Sequence, residues 1–540
     1  GQQLVLPSPN SKGLAIDRFS AEATRMHFRY FIDRLRQQLG PLERTALRYL
    51  YLCSYELRGR VWTTDMLQAF RARRGYDMKP YLPTIVGASI EDRETTERFM
   101  HDFRETLSDL LIERFYAEAA RLCQAAGLEL CAEAGGPGPP LHNVPVDALK
   151  AQGRVDRPRG EFWNQYPIWV VKETACAAHI YGKPVVDMEA FTSWRHWQDG
   201  PFELKPLADR AFCEGANHFT FHTWPHQPPE AGQPGWAYHA GTHVGPTRLW
   251  WPMAKPFIDY LARCSSLLQQ GRPVADVCYY YGDGGYKFVP PKHIDPSLGF
   301  GYDYDVTNTE VLCERMSVRD GRIVLPGGPE YAILVLPDQE AIEVEVLSKL
   351  EQLVRRGATV VGRKPTRSHG LFKRNERDRQ VRELADRIWG PCEGQRVLEH
   401  RYGEGRVVWG RSLRELLAEL GVGPDFSFTS RRVDTELDFV HRRSPEADIY
   451  FVWNKQPRWQ WLWCKFRVSG RQPELWLPDS GEIRRQLIYR TVKAGIELPL
   501  RLPPLGSVFV LFRRQLADPP AANAVKITDL RHNGRSLLPG

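Results

Sequence analysis

The chain contains no apolar run approaching the roughly 18–20 residues that a membrane-spanning helix needs. It has no CxxC pair among its ten cysteines and no tract of Lys and Arg that could follow a phosphate backbone. The first absence argues against a helical membrane anchor. The second argues against a disulfide framework or a zinc site and leaves the cysteines as buried thiols. The third, with a +8 formal charge spread over 73 basic and 65 acidic residues, makes nucleic acid an unexpected partner. Neither a membrane nor nucleic acid is therefore expected. The opening residues, GQQLVLPSPN, lack an initiator Met and a signal-like core. They read as the start of a fragment or a processed chain, which leaves the compartment open. Catalytic signatures are missing too: no GxSxG for an esterase, no HExxH, and no P-loop Lys in the Gly-rich YGDGGY.

What is present is an ordered succession of patterns over 540 residues, too long for one core. Up to residue 273 strand-like runs alternate with helical ones: LRYLYLCSYE, a long amphipathic stretch, LELCAEAGG, PVVDMEAFTS and HFTFHT. Alternation of this kind predicts parallel strands with helical crossovers. We read 1–273 as a (β/α)8-type (TIM) barrel, with about five clear strands where eight are needed, so that its front strands are expected to be missing from this chain. Residues 274–424, from VADVCYYYG to SLRELLAELG, predict a smaller flavodoxin-like α/β domain, with no GxGxxG after its first strand. From 425 to 540 short alternating strands such as DIYFVWNK and QWLWCKF predict a β-sandwich. The final AVKITDLRHNGRSLLPG reads as the entry to a further domain.

Several of the barrel strands end in the same way. Glu56, Glu133 and Glu189 each follow a mostly apolar run, and Glu214 precedes one. A carboxylate is costly to desolvate unless paired or metal-bound, so strands ending like this point to a shared cleft at the mouth of a barrel. Two carboxylates from different strand ends are the minimum equipment for glycoside cleavage. Nine of the 16 tryptophans lie between Trp62 and Trp251, beside these ends, where aromatic faces can stack on sugar CH groups.

FCEGANHFTFHTWPHQP (212–228) and PGWAYHAGTHVGPTRLWWPMAKPFIDYLARCSSLLQQGRPVADVCYYYGD (234–283) resemble the signature region of glycoside hydrolase family 106, the inverting α-L-rhamnosidases. CSYELRGRVWTTDMLQAFRARRGYD, RGEFW and MEAFTSW fit the same family, and the resemblance runs from about Lys12 to about Phe512. It implies a (β/α)8 catalytic domain, calcium dependence and single-displacement hydrolysis of terminal α-L-rhamnosides. The glutamate of SYE, Glu56, is then the general acid, and that of EAFTS, Glu189, the general base. Glu161 of EFW matches a calcium-ligand position. Where the family pattern leads us to expect an aspartate before the Ser of SYE, this chain has Cys53.

The residues add detail of their own. Glu56 needs a raised pKa to act as an acid, and its bland alternative is an ion pair with Arg58 or Arg60. Calcium needs six to eight oxygen ligands, so Glu133 joins Glu161 as a candidate, with loop carbonyls from the Gly- and Pro-rich segment after it. His222, on the same side of its strand as Thr220, is placed in the pocket, with Trp62, Trp194, Asn217, Gln227 and Arg248 as further sugar contacts. His218, His222 and His226 recur every four residues but fall on a strand and a loop, so they do not form a helical zinc site. A retaining β-galactosidase-like enzyme, of similar three-part architecture, and a non-catalytic carbohydrate-binding homologue are the alternatives.

Overall fold

The computed structural model describes the chain except for residues 1, 6, 8, 11, 138–143, 166, 283, 285–286, 293–297, 516–530, 534 and 537–540. Most of the C-terminal AVKITDLRHNGRSLLPG, part of YGDGGY and the last prolines of AEAGGPGPP lie outside the described residues. No described helix is long and apolar enough to cross a membrane.

Five strands form one curled parallel sheet in chain order: β1 (Tyr49–Leu52), β2 (Glu129–Ala132), β3 (Arg157–Trp163), β4 (Asp187–Thr192) and β5 (His218–Phe221). The crossovers include α1 (Arg93–Leu111), α2 (Glu118–Ala125), α3 (Ala148–Arg154), α4 (Val171–Tyr181) and α5 (Pro201–Glu214), and α6 (Lys255–Leu268) follows β5. The sheet curls as a half-barrel, and its five strands match those legible in the sequence. Strand alternation explains its two faces. Phe162, Met188, Ala190, Phe219 and Phe221 turn toward α5 and α6 and share their core, whereas Arg159, Glu161, Asp187, Glu189, His218 and Thr220 occupy the alternate positions.

A second sheet has the order β7-β6-β8-β9-β11-β10, with β6 (Val277–Tyr280), β7 (Tyr304–Thr307), β8 (Ile333–Val335), β9 (Thr359–Val361), β10 (Glu399–Tyr402) and β11 (Gly405–Val408). All neighbours are parallel except the edge hairpin β10–β11. Its parallel part runs 2-1-3-4-5, the flavodoxin-like order. Beyond it stand two antiparallel sheets. One comprises β12 (Phe426–Thr429), β15 (Gln460–Phe466), β18 (Arg490–Val492) and β19 (Gly495–Leu502). The other comprises β13 (Leu437–Arg443), β14 (Asp448–Asn454), β16 (Arg471–Trp476), β17 (Ile483–Arg485), β20 (Ser507–Gln515) and the short Arg272–Pro273. The two share a core of Phe426, Leu462, Phe466, Tyr450 and Val510. The larger sheet is buried on its second face as well, where Ile449, Phe451, Phe509 and Leu511 pack on α5 and α6. That double burial explains why DIYFVWN is apolar without clean alternation, and it joins these sheets directly to the first one. All ten cysteines are free: eight are buried, Cys313 is half-buried and Cys53 is exposed.

Candidate active site

The carboxyl ends of β1 to β5 carry the acidic side chains to one place. Glu161 of β3 and Glu189 of β4 are register partners, and Glu133 directly follows β2. One carboxylate oxygen from each of the three lies within 4.8 Å of the others. Glu133 and Glu161 are buried, and Glu189 is half-buried. Burial and then the neighbouring Glu189 charge push the Glu133 carboxyl well above the ordinary range, although the Tyr51 hydroxyl donates to it. Burial, Glu133 and Glu189 do the same to Glu161, against a long hydrogen bond from Trp163 Nε1 at 3.3 Å. Three carboxylates packed so closely hold a proton between them or attract a cation.

Glu56 and Glu189 are held separately. Glu56 lies four residues beyond β1 and accepts the Ser54 hydroxyl at 2.8 Å, while Ser54 N–H donates to Glu133 at 3.2 Å. Among the described residues Glu56 forms no ion pair; the Arg58 side chain lies outside them. Glu189 accepts the Thr192 hydroxyl at 2.9 Å, and His222 Nδ1 approaches the same oxygen at 3.6 Å, beyond hydrogen-bond range. Burial holds the His222 imidazole below its ordinary range in spite of the Glu189 charge, so it is neutral near pH 7.

One rung below runs a second polar layer. Arg159 donates from Nε and a terminal nitrogen to Asp187 Oδ2, at 2.8 and 2.5 Å, and also to the Thr220 hydroxyl at 2.9 Å. His218 Nδ1 lies 2.7 Å from Asp187 Oδ1. Burial opposes ionisation of Asp187, but the His218 and Arg159 contacts outweigh it and hold the carboxyl below its ordinary range. The Arg159 guanidinium also sits 4.3 Å from the Tyr51 ring centroid, so this layer braces the tyrosine that donates to Glu133.

An unbroken chain of ring contacts rims the acidic cluster. Trp163 and Trp194 lie 4.8 Å apart, Trp194 and His239 6.2 Å, His239 and Tyr238 4.4 Å, and Tyr238 and His222 5.5 Å. Trp194 is 51% exposed, a face open to a ligand. Trp62 is also exposed, outside that chain of rings.

Four residues expected near the cleft are engaged by other groups of the chain. Asn217 is buried before the first residue of β5, at the opposite end of the strands, where its amide accepts from Val186 N–H and donates to Pro184 O. Gln227 spends its amide on Trp236, donating to its carbonyl at 2.9 Å and accepting from its N–H at 2.8 Å. Gly235 makes this possible: at φ +99° it passes so close to Gln227 that any Cβ would overlap it. Arg248 donates to the carbonyls of Trp197 and Asp199, fixing the loop after β4. Glu214 ends α5, accepting from Arg210 and from Lys292 N–H. Tyr51, Arg159, Asp187 and Tyr238 were not singled out. The signal for two of them was the i, i+2 spacing of Arg159 to Glu161 and Asp187 to Glu189.

Carboxylates from several strand ends of a parallel sheet, rimmed by aromatic rings, define a glycoside hydrolase site. The chain belongs to glycoside hydrolase family 106: the family model, described as alpha-L-rhamnosidase, matches residues 2–491. A Formosa agariphila protein, provisionally named a beta-glucuronidase, is 34% identical over 94% of this chain and 42% of its own length. The rhamnosidase structure from Novosphingobium sp. PP1Y superposes with a TM-score of 0.87 at 32% identity, over 98% of this chain and 50% of that one. The chain thus spans about half the length of these relatives. Gan42B, a GH42 beta-galactosidase from G. stearothermophilus, matches at TM-score 0.57 and 12% identity over 92% of this chain and 81% of that one, a likeness of fold alone.

Proposed function

We propose that this chain is the catalytic part of an enzyme that removes terminal α-L-rhamnose from polysaccharides or glycosides by single displacement. Convergence of Glu56 and the Glu133–Glu161–Glu189 cluster at one cleft carries the reading. Glu56 protonates the departing glycosidic oxygen. Glu189, oriented by Thr192 and standing beside a neutral His222, takes the proton of the attacking water. Tyr51, Arg159 and Asp187 hold the floor of the site, and the Trp163–Trp194 edge receives the sugar face. We read the five-stranded sheet as part of a (β/α)8 barrel, and the units after it as a flavodoxin-like domain and a β-sandwich.

The donor set fits calcium. Glu133 and Glu161 would hold the ion through hard, buried oxygens beside Glu189. Bound there, it would neutralise the cluster and help to order sugar hydroxyls. The family description, alpha-L-rhamnosidase over residues 2–491, favours a neutral deoxysugar over the glucuronide suggested by the name of the Formosa relative. The test sets an aryl α-L-rhamnoside against an aryl β-D-glucuronide, with and without EDTA. Calcium-dependent cleavage of the rhamnoside supports the reading; cleavage of the glucuronide alone, or sugar binding without turnover, overturns it.

A further inference from the structure

A solvent-facing strand face should be polar where its other face is core. Strand β15 departs from this. Leu462, Cys464 and Phe466 point into the core shared by the two antiparallel sheets, while the alternate positions are Trp461, Trp463 and Lys465. Trp461 is 63% exposed, and Trp459, just before the strand, is 44% exposed. Across the register Trp461 pairs with Arg501, Trp463 with Pro499 and Thr429, and Lys465 with Glu497 and Ser427. The rings do not collapse onto the sheet. Trp459 and Trp461 lie 6.1 Å apart, with the Arg501 guanidinium 4.4 Å from one centroid and 5.4 Å from the other. Arg490 stands 5.0 Å from the Trp463 ring. Successive outward positions repeat at about 6.8 Å along an antiparallel strand, so the rings form a ladder.

Three exposed tryptophans on one face are what a monomeric surface avoids unless it binds something. The charges say what. Glu497 is paired with Arg490 at 2.5 Å, whereas Arg501 and Lys465 form no ion pair among the described residues. Aromatic rings suit the apolar face of a sugar, and two uncompensated cations suit carboxylates spaced along a chain. We propose that this face is a second carbohydrate site, which takes a stretch of uronate-bearing polysaccharide outside the cleft of the curled sheet. It rests on the glycosidase reading for its biological sense, yet it has its own residues. It would hold an acidic polymer while neutral rhamnosyl ends reach the catalytic cleft.

The test is calorimetric titration of the intact chain carrying Glu189→Gln, so that turnover is slowed, with oligogalacturonate and with its methyl ester. Micromolar-to-millimolar binding of the free acid is expected, at least tenfold weaker after Trp461→Ala. Arg501→Gln should weaken binding of the acid but not of the ester. In the otherwise wild-type chain, hydrolysis of a soluble aryl α-L-rhamnoside should stay within twofold after Trp461→Ala, which separates this site from the cleft. Oligogalacturonate binding that survives both Trp461→Ala and Trp463→Ala overturns the proposal, as does no binding by the parent. So does a Trp461-dependent dimer that binds no oligogalacturonate. If the rhamnoside is not cleaved but oligogalacturonate binds through Trp461, the glycosidase reading fails and this site stands.

Discussion

Glu161 and Glu189 occupy one rung of the parallel sheet, register partners on β3 and β4 whose carboxylates share a site with Glu133. The rung below pairs Arg159 with Asp187 in the same register, so opposite charges lie directly beneath like ones. The lower layer is neutralised from within. The upper one is short of positive charge, and this imbalance underlies the reactivity assigned to the cleft.

Removing the proton acceptor should be severe. Glu189→Gln is expected to lower kcat on an aryl α-L-rhamnoside by about 10²–10⁴, with the folded state retained by circular dichroism. Glu56→Gln should cost a similar factor on substrates with poor leaving groups and much less on a nitrophenyl rhamnoside, whose leaving oxygen needs little protonation. Equal losses on both substrates would remove Glu56 from the acid role.

Cation dependence should vary with pH in a defined sense. Glu133 and Glu161 have folded pKa values raised above 4.5. Their contribution to stability is therefore present below about pH 4.5 and is lost as pH rises through the raised values. Calcium binds the ionised carboxylates, so the gain in Tm on adding calcium to EDTA-treated protein should grow from about pH 5 to about pH 8. Thermal melts across that range check it, and a gain independent of pH would contradict it.

Asp187 shifts in the opposite direction. Its folded pKa lies below 3.8, so the stability it confers is present above that value and is lost as pH falls through the folded one. Asp187→Asn leaves Arg159 buried without its counter-charge, a loss of roughly 3–5 kcal/mol. Urea denaturation at neutral pH measures it.

Tyr51→Phe removes the hydroxyl that donates to Glu133. The expected cost in calcium-free protein is about 1–3 kcal/mol, because a buried acceptor loses a partner. Titration with calcium should show altered affinity in the same variant, while the parent-like fold is checked by the melt baseline.

The convergence of Glu56, Glu133 and Glu189 was legible because a carboxylate at the end of an apolar strand is costly to desolvate outside a cleft, whereas Glu161 came only from the family resemblance of EFW, and Glu214, which precedes an apolar run, ends α5 instead. Asp187 was harder to see: PVVDMEAFTS reads as an apolar run, but β4 begins at Asp187 and alternates Asp, Met, Glu, Ala. Strand β7 carries little strand signal, because YDVT is short and half polar, yet all four of its residues are buried. Asn217, Gln227 and Arg248 have the right chemistry for sugar contact. Sequence does not show that the Asn217 and Gln227 amides and the two terminal nitrogens of Arg248 already bond to backbone amides and carbonyls.

The most direct measurement is the anomer that first appears when the chain hydrolyses an aryl α-L-rhamnoside, followed by proton NMR. Single displacement between Glu56 and Glu189 predicts β-L-rhamnose first, with the α anomer growing in by mutarotation. Initial release of α-L-rhamnose would contradict the account and make one of these glutamates a nucleophile.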